Sequence, residues 1–292
     1  MGYSSNMKQP SAYPYWFIAP AAVVYIVLFL IPTAASFYFC FTRWDLYTAD
    51  FIGLDNFSQF FSEPGLVNGL LHTLVYALIT AGLKSILGLM LAVFLTSGIF
   101  GQGFLRNVMF FPTLVSTVGV GITFSSLMHP TKGLFNVALA AIGIDGPGWL
   151  VDPTLAIFSV AAVDVWKGVG LATLIYIAGL AAISPTYYEA ARVDGATPWQ
   201  CFWKITVPLV RPATVTVITL SLIYGMRSFD LIWSMTRGGP GFSSDVLASV
   251  IYKQYQAGFY GLATAGNVML FLLILIIILP LTYWFNKREI EL

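Results

Sequence analysis

Six long apolar runs constrain this chain more than any other feature. They lie at about 16–40, 68–97, 107–128, 155–181, 213–235 and 263–286. Each reaches the ~20 residues that a helix needs to cross the hydrocarbon core of a bilayer. Backbone N–H and C=O groups find no water there, and a helix satisfies them within its own segment. The chain is therefore predicted to be all-α: a polytopic membrane protein of six transmembrane helices, one transmembrane domain over 1–292. Charged residues make up only 9% of the sequence and mean hydropathy is +0.81, whereas a soluble domain carries about 25% charged residues. The net charge of +1 gives no basis for a nucleic-acid partner. The first run is longer than a signal-peptide core and only Lys8 precedes it, so it reads as an uncleaved helix. Residues 1–14 are polar and expected to fray. The stretches 44–66, 129–153 and 236–262 read as loops, and Gly98, Gly101 and Gly103 mark a short turn. There is no internal repeat.

Lysine and arginine set the orientation. One side of the six-span arrangement holds seven of them: Lys8, Arg106, Arg192, Lys204, Arg211, Lys287 and Arg288. The other holds four: Arg43, Lys132, Arg237 and Lys253. The positive-inside rule places the richer side, and with it both termini, in the cytoplasm.

That side also carries the longest polar interruption, 184–212. Ser184 and Thr197 each precede a proline, the pattern of a capped helix start. Gly195 lies between them, free to take the positive φ of a sharp turn. Two short helices joined by a bend are predicted. Trp199, Phe202 and Trp203 form an i, i+3, i+4 apolar stripe suited to a membrane interface.

Glu189-Ala190-Ala191, Asp194-Gly195-Ala196 and Ile205-Thr206-Val207-Pro208 together resemble the EAA signature of ABC-importer permeases. Phe51-Ile52-Gly53-Leu54-Asp55-Asn56-Phe57 and Thr236-Arg237-Gly238-Gly239-Pro240 resemble the binding-protein-dependent sugar permeases, and of the two permease types the maltose-permease-F-like one. The resemblance covers nearly the whole chain. It implies a type I ABC-importer permease fold, in a bacterial or archaeal cell membrane. It implies that Glu189, Ala190, Ala191, Asp194 and Gly195 form a coupling helix docking on an ATPase. The partners it implies are a second homologous permease, two copies of the ATPase subunit and an extracytoplasmic solute-binding protein. ATP and Mg would sit on the ATPase; no cofactor is expected on this chain.

Five charged residues fall inside the spans: Lys84, Asp164, Lys167, Arg227 and Asp230. Each is costly in hydrocarbon and is expected to face protein or water. A rise of ~1.5 Å per residue places Asp164 and Lys167 roughly 14–18 Å below the outer end of their span, and Asp230 and Arg227 roughly 8–12 Å below theirs. The two i, i+3 pairs are expected to meet, with Lys84, about 24 Å down its helix, outside that layer. An uncharged sugar needs hydrogen-bonding groups and an aromatic face. Asp164, Lys167, Ser221, Arg227 and Ser228 supply the first; Trp166 and Tyr224 supply the second. The resemblance carries over Asp164, Trp166, Gly168, Ser221, Tyr224 and Ser228 as sugar contacts, with an Asp where such permeases can have an amide. A salt-bridge network locking two helices together is the competing role for Lys167 and Arg227.

The sequence has no Gly-x-x-x-x-Gly-Lys-[Ser/Thr] loop and no catalytic constellation, so no enzyme activity is expected on this chain. His72 and His129 are isolated, and Cys40 and Cys201 have neither metal nor disulfide spacing. The predicted function is the permease subunit of an ATP-driven carbohydrate importer, forming half of the pathway. The alternatives are the same machine carrying a polyol or glycerol phosphate, and an ion-coupled secondary transporter. The last is disfavoured because neither a repeat nor a helix broken at mid-membrane is visible.

Overall fold

The computed structural model describes residues 15–287. The polar stretch 1–14, with Lys8, and Arg288 lie outside the described residues. Four helices are long and apolar enough to cross a membrane singly: α1 (Trp16–Phe39), α3 (Pro64–Thr96), α7 (Ala156–Ala181) and α13 (Tyr260–Asn286). Helix α1 widens into a π-turn at Ile26–Leu30, just ahead of Pro32, whose ring displaces the carbonyl four residues earlier. No residue of Ala19–Phe39 is buried within the chain.

The other two predicted spans are corrected. The run 107–128 is two helices, α4 (Gln102–Leu114) and α5 (Thr117–Leu127), bent by 95°. Pro112 removes an N–H from the last turn of α4, Val115 is extended, and Ser116 restarts the chain as a cap, accepting from Gly119 N at 3.5 Å. The run 213–235 is also two helices, α10 (Arg211–Met226) and α11 (Asp230–Met235). Arg227 and Asp230 therefore do not share a helix. The expectation of unbroken helices fails at both places.

The predicted loops hold structure as well. Residues 44–66 contain part of a hairpin, β1 (Thr42–Trp44) with β2 (Ala49–Phe51), antiparallel with Arg43 opposite Asp50, and helix α2 (Asp55–Ser62). Asp45 Oδ1 accepts from Thr48 N at 2.6 Å and Tyr47 N at 2.9 Å, bonds that hold its carboxyl below the usual carboxylate range. Residues 129–153 contain α6 (Leu134–Ala141) and 236–262 contain α12 (Leu247–Gln256). Helix α12 docks on the upper part of α3: Leu247 N donates to Thr73 Oγ1 at 2.7 Å, and Gly69 of α3 leaves room for Val250. Lys253 pairs with buried Asp245 at 2.5 Å beside it.

The core of the bundle is α3, α7 and α10, tightly packed. A Cβ on Gly88 of α3 would come within 2.9 Å of Ala172 Cβ on α7, so these parallel helices sit level at that pair. Helix α3 therefore starts about two turns above α7. The lower ends of α3 and α7 lie beside the 184–212 segment.

Candidate functional site

A cavity of about 390 Å³ opens between α3, α7 and α10, flanked by both helix breaks. Thr113 and Thr117 line it from the first break; Arg227, Ser228, Phe229 and Asp230 line it from the second. Irregular backbone at membrane depth is tolerated where it faces a polar cavity, which accounts for a break at 227–229 that has no proline.

Helix α7 contributes Asp164, Lys167, Gly168, Leu171 and Ile175, one face at helical spacing. Helix α10 contributes Ser221 and Tyr224 in the same way. The predicted pathway residues Asp164, Lys167, Gly168, Ser221, Tyr224, Arg227 and Ser228 are thus brought together. Trp166 is not: it lies about 200° round the helix from Asp164, and its ring packs on Phe124 of α5 at 5.0 Å between centroids.

Lys84 is the second correction. Its Nζ donates to Asp164 Oδ2 at 2.8 Å, deep in the bundle, and it lines the cavity. The depth count misplaced it because α3 projects above α7, so distance along each helix is not distance into the membrane. Gly168 acquires a specific reason: a Cβ there would lie 2.7 Å from Lys84 Cε. Asp164 is consequently half of an ion pair as well as a wall of the cavity. The expected meeting of Asp164–Lys167 with Arg227–Asp230 gives no ion pair. Instead Lys167 Nζ reaches Thr113 O at 3.5 Å, and Thr113 Oγ1 donates to Lys167 O at 3.0 Å. Lys167 thus serves a carbonyl at the C-terminus of α4, where the break leaves acceptors free. Ser228 Oγ donates to Tyr76 OH of α3 at 3.4 Å. Tyr224 is 63% exposed and presents its ring to the cavity. Arg227 is exposed and, among the described residues, forms no ion pair.

Below the cavity, α7 ends and the polar segment begins. It forms two helices, α8 (Pro185–Val193) and α9 (Pro198–Leu209). The cap expected of Ser184 is not made; its Oγ donates to Thr186 Oγ1 at 3.1 Å instead. Thr197 does cap, in a reciprocal box with Gln200. Gly195 takes φ +75°, with Gly195 N bonded to Arg192 O and Ala196 N to Ala191 O, the paired bonds of a Schellman stop. Helix α8 buries no residue, and Glu189, Ala190 and Asp194 are exposed, with Ala191 half-buried. Trp199, Phe202 and Trp203 cluster on α9, with both tryptophans more than half exposed. Helix α9 widens at Phe202–Thr206 ahead of Pro208, and Tyr188 OH bonds Thr206 Oγ1 at 3.0 Å, joining α8 to α9. Helices α9 and α10 meet at 65°.

Of the missed cavity residues, Lys84 carried a signal, as a charge inside a span. Thr113 and Thr117 were marked only by nearby Pro112.

Residues 84–290 match the family of binding-protein-dependent transport system inner membrane components. The chain is 32% identical over 263 residues to the trehalose/maltose transport system permease protein MalF of Thermococcus litoralis, covering 89% of each. It is 30% identical over 283 residues to the sn-glycerol-3-phosphate transport system permease protein UgpA of Agrobacterium fabrum, covering 95% of this chain and 94% of that one. Its fold matches a chain in the crystal structure of a bacterial ABC transporter that imports the acidic polysaccharide alginate, with TM-score 0.84 and 23% identity over 94% of this chain and 96% of the other. On this match and these identities, the chain is a multi-pass membrane protein belonging to the binding-protein-dependent transport system inner membrane components.

Proposed function

We propose that this chain is the permease subunit of an ATP-driven importer for a carbohydrate, and that it forms half of the solute pathway. One observation carries the reading. The middle of α7 and the upper part of α10 line the polar cavity, and the same two helices enter and leave the exposed 184–212 segment. A push on that segment is transmitted along both helices to the cavity, the arrangement needed to switch its access between the two sides. The trehalose/maltose permease among the relatives supports the substrate class.

In this reading Glu189, Ala190, Ala191, Asp194 and Gly195 dock on a cytoplasmic ATPase. Gly195 holds the bend, and the carboxylates of Glu189 and Asp194 meet basic groups of that subunit. Two ATPase copies, a second homologous permease and an extracytoplasmic solute-binding protein complete the machine. ATP and Mg bind the ATPase, and the chain itself has a transport role without catalysis. The assembly sits in the cell membrane of a bacterium or archaeon, with the 184–212 side in the cytoplasm. Tyr224 offers a sugar its aromatic face, and Ser221, Ser228 and Asp164 offer hydrogen bonds.

A second reading rests on Arg227. A guanidinium that is exposed and, among the described residues, has no carboxylate partner also suits a polyol phosphate, and one of the relatives is a glycerol-phosphate permease. The experiment is ATP hydrolysis by the complex in nanodiscs with its binding protein, across sugars and glycerol phosphates. Stimulation by a sugar, lost in Glu189→Lys, is the expected result. Stimulation by a phosphorylated polyol alone selects the second reading. Uptake that needs a membrane gradient and no ATP overturns both in favour of a secondary transporter.

A further inference from the structure

A larger cavity, about 720 Å³, lies at the other end of the bundle, between the lower ends of α3 and α7, the start of α4 and the two loop helices. Its lining divides by polarity. Val93, Ile177, Leu180 and Phe202 form an apolar wall, while Arg106, Arg192, Thr96 and Ser97 bring two guanidinium groups and two hydroxyls to the same space. Among the described residues neither arginine forms an ion pair. Arg106 Nη2 donates to Leu95 O at 3.1 Å, but its Nε–H is enclosed and has no acceptor. Trp199 (68% exposed) and Trp203 (52%) stand on α9 beside the cavity-lining Pro198, Cys201 and Phe202, and exposed tryptophans of this kind sit at headgroup level.

We propose that this cavity holds the headgroup of an anionic phospholipid from the leaflet on the loop side, its phosphate between Arg106 and Arg192 and its glycerol and upper acyl carbons along the apolar wall. Naming that leaflet cytoplasmic rests on the orientation given above. A small soluble anion accounts for the arginines but leaves the apolar wall unused; a lipid uses both, and basic pockets between spans at this level suit such headgroups. Arg106 belongs to α4 and Arg192 to the last turn of α8, so a bound lipid would tie the coupling segment to the bundle. Anionic lipid thereby becomes a condition for transmitting movement between them.

The test is native mass spectrometry of the assembled complex extracted from bilayers of phosphatidylglycerol and phosphatidylethanolamine. Wild type is expected to retain phosphatidylglycerol selectively. Arg106→Gln and Arg192→Gln should each weaken that retention about fivefold, and Arg106→Lys should keep most of it. If Arg106→Gln fails to assemble, Arg192→Gln carries the test, because Arg192 is exposed and holds no packing together. Undiminished phosphatidylglycerol in Arg192→Gln, or in the double Arg106→Gln/Arg192→Gln variant where it assembles, overturns the proposal. So does inorganic phosphate displacing the lipid from wild type, which would make this a site for a free anion. Retention is read without transport, so its failure leaves the importer reading standing, and a failed uptake assay leaves the lipid site standing.

Discussion

The cavity lies along the middle of α7 and the upper part of α10, and the 184–212 segment joins the lower ends of the same two helices, yet the two regions are built in opposite ways. In the segment, the bonds that set the geometry are short in sequence: Thr197 with Gln200, Gly195 with Arg192, Ala196 with Ala191. In the cavity they are long. Lys84 and Asp164 are 80 residues apart, and Ser228 and Tyr76 are 152 apart. The cavity residues are held by packing, whereas α8 buries nothing. One region owes its shape to tertiary register, the other to local chemistry. The difference suits the proposed roles: a solute cavity needs fixed walls, and a docking helix needs an open face.

Breaking the ion pair should give the largest effect. Lys84→Met leaves the Asp164 carboxylate unpaired in a mostly buried site, a loss of about 3–5 kcal/mol. The double variant Lys84→Met/Asp164→Leu should recover most of it, because the desolvation cost of both charges disappears. Unfolding midpoints of the purified complex measure this; equal loss in single and double variants would mean the pair does not organise the cavity. Next is Gly168→Ala, which places a methyl group 2.7 Å from Lys84 Cε; the lysine end can shift only by straining its pair with Asp164, so the cost should be about 1–2 kcal/mol, the lower part of the overpacking range. Shortening the lysine in Lys84→Ala should shrink that increment.

The coupling segment should respond more weakly in stability and more strongly in function. Gly195 has open space around its Cβ direction but φ +75°, so Gly195→Ala carries only the left-handed backbone penalty, about 1–2 kcal/mol. Thr197→Ala removes one side of the capping box and should cost about 1 kcal/mol. If either variant destabilises the complex as much as Lys84→Met, the division between local and long-range construction is wrong.

The same division explains what the sequence disclosed. Thr197 with Pro198 after it, Gly195 and the stripe Trp199, Phe202, Trp203 are local signals, and they describe the bend and its aromatic face correctly. Six apolar runs were enough for the bundle and its fold class. Single-helix periodicity also grouped Asp164 with Lys167 on one face, and both line the cavity; the same reasoning failed for Arg227 and Asp230, because the helix breaks between them. Relative register between helices was hidden, because no local feature shows that α3 starts above α7; hence Lys84 was placed away from Asp164. Trp166 was grouped by its chemistry, although its position two residues from Asp164 turns it toward Phe124. The break at Ser116 had a signal in Pro112 followed by a capping serine. The break at 227–229 had none, since cavity-facing backbone permits it without a special residue. Ser184 carried a good capping pattern, but its hydroxyl found Thr186.

The most direct test measures solute uptake and ATP hydrolysis in the same proteoliposomes, comparing Tyr224→Ala with Glu189→Lys. Tyr224→Ala is expected to raise the solute concentration for half-maximal uptake while hydrolysis still rises at saturating solute. Glu189→Lys is expected to abolish uptake and stimulated hydrolysis together in a complex that still folds. Unchanged uptake in both variants, or loss of coupling from the cavity variant with none from the loop variant, would contradict the assignment of the solute path to the cavity and of coupling to the 184–212 segment.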